Sequence, residues 1–517
     1  MDPIREILLK HGPARSSKIA EQLKARLGIS DEAARKRLSR IKAPIRAFPV
    51  PLLPKRETFL YLQDERGSER FWTNFLDALR ETETVYAAAI DGLLARGGIV
   101  SKDEFAVISG APNKQSKQVP VELVAKRLER AGFIKKQNFV DMGEVYRIFP
   151  DVFGPPLHAN KKVRDAVEGV MLDGLREWAR KNGFASFNSI AIRGDEHPRL
   201  VGPYQWDLTG PSYLLPLRGS KDVLSQGFLC ADVFAEEQLS RHHIRYFIRK
   251  AENLRATTNV GRVLPLIMAQ SFTGSALTEG HKAGILLVTP GNLFGASVGR
   301  AIGDLVATLS KAAEMVSGNP DKLANLIESL SEIEGAAGNL RGILFELVVA
   351  YLARQEGSID MGRTAYDPEK GKTADIDILL VKSDRRCVAI ECKGKGPGNN
   401  VTLEEVEDWL RRLGLFRAYL RSQSHLAEAD IRFELWTSGG FTTDALDKLE
   451  KEKAQRTKHP IAWVDGAGVR EKSKSMKESR VTRAFDEHFF KHPFKMMTDS
   501  YEGAAARASD TNLLSAK

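Results

Sequence analysis

The chain has 517 residues, 28% of them charged and 42% hydrophobic, and its formal net charge is +10. That length is too great for one core and predicts several domains, while the positive balance suits a polyanionic partner without proving one. Three scattered cysteines exclude a disulfide framework or a zinc ribbon, and no apolar run is long enough for a membrane span or a signal peptide, so a reducing, cytoplasmic setting without membrane contact is expected.

The first fifty residues hold twelve Lys/Arg against five Asp/Glu. Within residues 1–62, SSKIAEQLKARLGIS spaces Ile19, Leu23 and Leu27 along one helical face, and Gly28 stops the helix. DEAARKRLSRIKAPI follows, with Ala34 and Leu38 inward and Arg35, Lys36, Arg37 and Arg40 outward. FPVPLLPKRETFLYL then reads as a turn and a β-hairpin. Helix, tight turn, basic helix and wing resembles a winged helix-turn-helix, which implies a second helix laid in the major groove of double-stranded DNA. The alternative is a basic helix on a bundle, with a solvated charged face.

Residues 63–150 repeat the plan. TVYAAAIDGLLARGG is an apolar helix, and Ser101 with Glu104 predicts a capping box. VELVAKRLERAGFIKK is amphipathic and ends at Gly132, with Lys126 and Arg127 as candidate phosphate contacts. GFIKKQNFVDMGEVYRIF reads as a second wing. This unit is less basic, so DNA binding and a structural or dimerising role both stay open.

Residues 155–300 predict a central α/β domain. One long helix, KKVRDAVEGVMLDGLREWARKNG, carries Glu168. Strand-like runs follow in YQWDLTG, YLLPL and GFLCADVFA, then a basic helix, SRHHIRYFIRKAENLRA, and buried-looking strands VLPLIMA and AGILLVTP. Residues 301–335 read as a helical connector, 336–490 as a last α/β domain, and 498–517 as a polar, aperiodic, disordered tail.

The chemistry concentrates in TADIDILLVKSDRRCVAIECKGK, Thr373 to Lys395. Strand alternation puts Asp375, Asp377 and Leu379 on one face and Ile376, Ile378 and Leu380 on the other. Glu391 and Lys393 share a face of the next strand, and KSDRR closes a hairpin between the two. Asp377, Glu391 and Lys393 then meet on one side. Two carboxylates so placed repel unless a hard divalent cation such as Mg²⁺ joins them, and an ammonium beside them orients water or stabilises charge on phosphorus.

An acid on one strand of a hairpin, with Glu-x-Lys ending the next, resembles the PD-(D/E)XK nuclease superfamily, the restriction-endonuclease-like fold. The resemblance runs from Asn339 to about Gln455 and implies a mixed central sheet and metal-dependent phosphodiester hydrolysis to 5′-phosphate and 3′-hydroxyl products. Mg²⁺, with Mn²⁺ able to substitute, would be held by Asp377, Glu391 and the backbone carbonyl of Cys392. Asp375 competes with Asp377 for that role. Lys393 would position water, and Glu346, alone in the apolar helix NLRGILFELVVAYLARQEG, would assist. The proline of the family name is absent, Ala374 and Ile376 flanking Asp375 instead. GKGPGNN is a loop a phosphate backbone can approach closely. Thr402 and Glu405 cap a helix that presents Arg411, Arg412, Arg417 and Arg421, and with Lys395 the first two are candidate DNA contacts.

Residues 155–300 follow the same order of parts, with Asp207 and Asp232 in the places of Asp377 and Glu391 and Phe234 in that of Lys393. This is read as a degenerate, inactive nuclease-like copy, against an unrelated α/β domain with acids at turns. No Walker motif occurs, so any ATP dependence would lie with a separate ATPase or sensor subunit. The resulting expectation is a multidomain α/β DNA endonuclease, a homodimer where both strands are cut, in prokaryotic restriction or anti-phage defence. A non-catalytic DNA-binding regulator or recruitment subunit and an RNA-cleaving nuclease stand as alternatives.

Overall fold

The computed structural model describes residues 2–310 and 339–475 apart from short internal stretches, the longest 218–225, and a few positions between 482 and 489. Most of the connector expected at 301–335, most of YLLPL, and the tail at 498–517 lie outside the described residues. The protein is a multidomain α/β chain with two compact units, Met1–Arg164 with Trp178–Leu293, and Asp165–Glu177 with Phe294–Lys517.

In the first unit, α1 (Pro3–His11) starts at an Asp2 cap with Pro3 at its first position, a signal the sequence reading passed over. β1 (Ala14–Arg15), α2 (Ser16–Leu27), α3 (Asp31–Leu38), β2 (Ile45–Ala47) and β3 (Phe59–Leu62) follow, and the three strands pair antiparallel in the order β1-β3-β2. Leu8, Ile19, Leu23, Ala34, Ile45 and Leu60 close a small core, each large side chain worth about 2 kcal/mol of burial. Leu27 departs from its expected inward face. It is 37% exposed, because the helix ends there and Gly28 turns the chain through the left-handed region at φ 64°.

After α4 (Glu69–Glu81), the same order returns in α5 (Val85–Ala95), β4 (Ile99–Ser101), α6 (Lys102–Ile108), α7 (Val121–Ala131), β5 (Ile134–Phe139) and β6 (Gly143–Ile148). Their sheet runs β4-β6-β5, so in both modules the first strand pairs with the third. The Ser101–Glu104 capping box forms as expected. Residues read as two separate helical units and a central domain share one continuous core here, from Phe48 through Ile90 and Leu128 to Ile267.

The long helix α8 (His158–Lys181) buries Val167, Val170, Met171 and Leu175. β7 (Ala191–Ile192), a β8 (Leu200–Val201) and β9 (Tyr204–Gln205) hairpin, β10 (Leu208–Ser212), β11 (Gly227–Val233), α9 (Arg245–Arg255), β12 (Val263–Met268), α10 (Gly274–Lys282) and β13 (Leu286–Val288) follow. They build a five-stranded sheet ordered β13-β12-β11-β10-β7. β10 pairs antiparallel with both β7 and β11, whereas β11, β12 and β13 run parallel. α11 (Pro290–Phe294) and α12 (Ala296–Ser310) end this stretch.

In the second unit come α13 (Asn339–Ala353), β14 (Ser358–Asp367), β15 (Lys372–Val381), β16 (Arg386–Lys393), β17 (Asn400–Val401), α14 (Leu403–Ser422), β18 (Asp430–Thr437), β19 (Gly440–Phe441), α15 (Thr443–Gln455), β20 (Ile461–Val464) and α16 (Gly466–Lys474). The five-stranded sheet runs β14-β15-β16-β18-β20, antiparallel over its first three strands and parallel over its last three. Order, direction and the helices between the parallel strands are those of the first unit's sheet. α14 packs Val406, Trp409, Leu413 and Phe416 onto it, around Ile376, Leu379 and Ala389. Ile376 and Leu379 entering one core breaks the strict alternation expected of this strand, for a reason visible at the site.

Candidate functional site

Pairing of β15 with β16 ends at Ile378–Ile390, and beyond that point the strands part. Asp377 stands in the fork, its Oδ2 accepting the Cys392 backbone N–H at 2.8 Å. This accounts for the lost alternation, because the carboxylate turns into the gap. Glu391 is the next residue of β16 past the last pair, and its Oε1 accepts from Lys393 Nζ at 3.0 Å and from Arg412 Nη2, on α14, at 2.7 Å. Asp375, Asp377 and Glu391 are all buried, while the Lys393 side chain keeps 26% of its surface in solvent. Burial alone would lower the Lys393 pKa, but Glu391 and Asp377 outweigh it and raise it, so the ammonium is held charged.

The donor chemistry fits a hard cation. Two buried carboxylates flank the fork, one of them oriented by a backbone N–H, and Mg²⁺ is commonly bound through one or two carboxylates with water completing its shell. Glu346 sits half-buried on α13. Among the described residues, no three of Glu346, Asp375, Asp377 and Glu391 bring ligand atoms within 4.8 Å of one another. The contacts of the fork join Asp377 to the Cys392 N–H and Glu391 to two cations, Lys393 and Arg412.

The predicted DNA contacts divide. Arg35, Lys36, Arg37 and Arg40 are all exposed, Arg35 pairing with Asp31 one turn back at 2.9 Å. Lys126 is exposed, but Arg127 donates to Tyr86 Oη at 2.5 Å and ties α7 to α5. Lys395 is held by both oxygens of Glu405, at 2.7 and 2.8 Å, the same glutamate that completes the α14 capping box with Thr402. Arg411 is exposed and paired with Asp408, whereas Arg412 belongs to the fork. Sequence spacing gave charge and helical face, but not which arginine reaches across to Glu391.

The first unit holds the matching fork. β10 and β11 part after Leu208–Ala231, and the residues just beyond are Asp207 and Asp232. Asp207 Oδ2 accepts the Val233 N–H at 3.1 Å, as Asp377 does from Cys392. Lys250 on α9 reaches Asp232 Oδ2 at 3.0 Å, as Arg412 on α14 reaches Glu391. Here, however, Asp207, Asp232 and Lys250 are fully buried. Arg96 and Arg193 close on Asp207, Tyr246 Oη donates to Asp232 at 2.8 Å, and Lys250 lies 3.8 Å from the Trp206 ring centroid. Burial raises Asp207, but Arg193, Arg96 and Arg199 outweigh it and keep the carboxylate ionised. Burial pushes Asp232 up and Lys250 down.

Beside this fork, Glu104 takes Lys161 at 2.7 Å, Arg193 at 3.1 Å and Arg164 at 3.2 Å. Burial opposes its ionisation, but Lys161, Arg164, Arg193 and Arg96 prevail and hold its pKa well below the ordinary carboxylate value. The sequence reading saw Glu104 only as a cap and missed Arg96, Arg193 and Lys250. The one local signal was a lysine on the apolar side of α9, where Phe247, Ala251 and Leu254 are buried.

No family model, no curated protein and no solved structure matches the chain.

Proposed function

We propose that the chain is a metal-dependent DNA endonuclease that hydrolyses phosphodiester bonds at the Asp377–Glu391–Lys393 fork. The observation that carries the reading is Asp377 locked in the strand fork by Cys392 N–H, with Glu391 and a charged Lys393 beside it. A divalent cation held by Asp377 and Glu391, with the Cys392 carbonyl, would supply a Lewis acid for the phosphoryl oxygens. Lys393, kept protonated by its two acids, orients the attacking water or donates to an oxygen that gains charge at phosphorus. The Asp377–Cys392 hydrogen bond fixes one carboxylate before substrate arrives, so no reorganisation is needed there at the moment of reaction.

Both N-terminal modules have the helix, strand, helix, helix, strand, strand order of a winged helix, and the exposed Arg35, Lys36, Arg37 and Arg40 suit phosphate contacts along duplex DNA. We read the first unit's sheet as a nuclease-like copy whose metal position is taken over by the protein's own cations. With one open fork among the described residues, cutting of both strands is the work of two chains. Restriction or anti-phage defence is the setting this chemistry suits.

The test is supercoiled plasmid with the purified protein and Mg²⁺, beside Lys393→Ala and an EDTA control. Nicking or linearisation by wild type with metal alone is expected. Equal inertness of wild type and variant would reject a constitutive nuclease.

A further inference from the structure

Arg341 lies in the first turn of α13, and its guanidinium is half-buried. Among the described residues it has no hydrogen-bond or ion-pair partner, and its Nε is buried without an acceptor. Burial lowers its pKa, and no acid among the described residues offsets the shift. A desolvated cation left in this state costs free energy unless something anionic meets it.

What lies against it is the loop that follows Lys393. A Cβ on Gly394 would stand 2.4 Å from the Arg341 carbonyl oxygen, so only glycine lets the helix and the strand end meet there. A Cβ on Gly396 would lie 2.7 Å from Arg341 Nη1 and 3.5 Å from Asn399 Nδ2, so the guanidinium and a side-chain amide flank the bare face of that glycine. The loop is anchored from behind, because Lys395 N–H donates to Ser438 Oγ at 2.7 Å and Ser438 Oγ donates to the Lys395 carbonyl at 2.9 Å. Lys395 itself pairs with Glu405, whereas Arg341, on the helix against the loop, has no counter-charge among the described residues.

We propose that Arg341, Gly396 and Asn399 form a subsite for a backbone phosphate of the nucleic acid, next to the phosphate that is cut. This deepens the nuclease reading and rests on it. Guanidinium geometry suits two phosphate oxygens at once, and the missing Cβ of Gly396 leaves the room in which that guanidinium lies beside the loop.

The experiment measures short-duplex binding by fluorescence anisotropy, in EDTA, over a series of KCl concentrations. Wild type, Arg341→Ala and Arg341→Lys are compared, with thermal melts to confirm folding and plasmid cleavage in Mg²⁺ run alongside. Arg341→Ala is expected to flatten the slope of log K against log[KCl] by about 0.9, the loss of one phosphate contact. Arg341→Lys keeps the charge, so it should keep the slope while binding several-fold more weakly. An unchanged slope in Arg341→Ala, with cleavage intact, overturns the subsite alone. A wild type that never cleaves, with the slope still flattened by Arg341→Ala, overturns the nuclease reading and keeps the phosphate site. A wild type that binds no duplex rejects both.

Discussion

Arg412 donates to Glu391 Oε1 across 2.7 Å, on the same oxygen that Lys393 reaches at 3.0 Å. Arg412 therefore occupies charge space that a divalent cation on Glu391 would share. Removing it should ease metal binding. In Arg412→Ala the Mg²⁺ concentration for half-maximal nicking is expected to fall several-fold, read from a metal titration of plasmid cleavage. A rise instead would mean that Arg412 orients Glu391 for the metal and does not compete with it.

Lys393 is held charged, its pKa raised by Glu391 and Asp377 against burial. A raised lysine loses its proton only above its ordinary value of 10.5, so no limb of the pH–rate profile near neutrality belongs to it. Lys393→Ala is expected to lower kcat about 100-fold or more, as for loss of one donor to developing charge, and to leave the shape of the profile between about pH 6 and 9 unchanged. A basic limb that vanishes in Lys393→Ala would show instead that the lysine titrates and serves as a base.

Glu104 is expected to contribute to the acid sensitivity of the first unit. Its folded pKa is depressed, so it contributes stability above the unfolded value, near 4.5, and loses it as pH falls toward the folded one. Urea midpoints should drop as pH is lowered through the region below about 4.5. Glu104→Gln should lose about 3–5 kcal/mol at pH 7, because it strands buried cations, and should flatten that acid dependence. Identical acid curves for variant and wild type would assign the effect elsewhere.

The two forks should differ in metal binding. Calorimetry with Mn²⁺ is expected to give a saturable site that Asp377→Asn removes and Asp207→Asn leaves in place. The reverse result, a site lost with Asp207 and kept without Asp377, would exchange the roles assigned to the two sheets. Arg96→Met should lower stability rather than open a second site, since it leaves Asp207 with one fewer cation in a fully buried place.

Much of the fork is legible in the sequence, because hairpin, acids and lysine lie within nineteen residues, from Asp375 to Lys393, and both capping boxes are local patterns. What escaped were relations set by the sheet as a whole. The splay that turns Asp377 into the gap depends on where pairing stops, which alternation does not encode. Arg96 meets Asp207 across 111 residues, and Arg412 meets Glu391 across 21. Arg127 and Lys395 looked like surface cations because exposure was inferred from type. Both are half-buried, Arg127 donating to Tyr86 and Lys395 pairing with Glu405.

The sealed fork has a kinetic consequence. On the proposed chemistry, a chain with a single working fork breaks one strand per encounter. Nicks then accumulate in proportion to protein concentration, while prompt double-strand breaks grow with its square. A broken duplex becomes a count of molecules that met at one place, and a lone molecule leaves damage that ligation can erase.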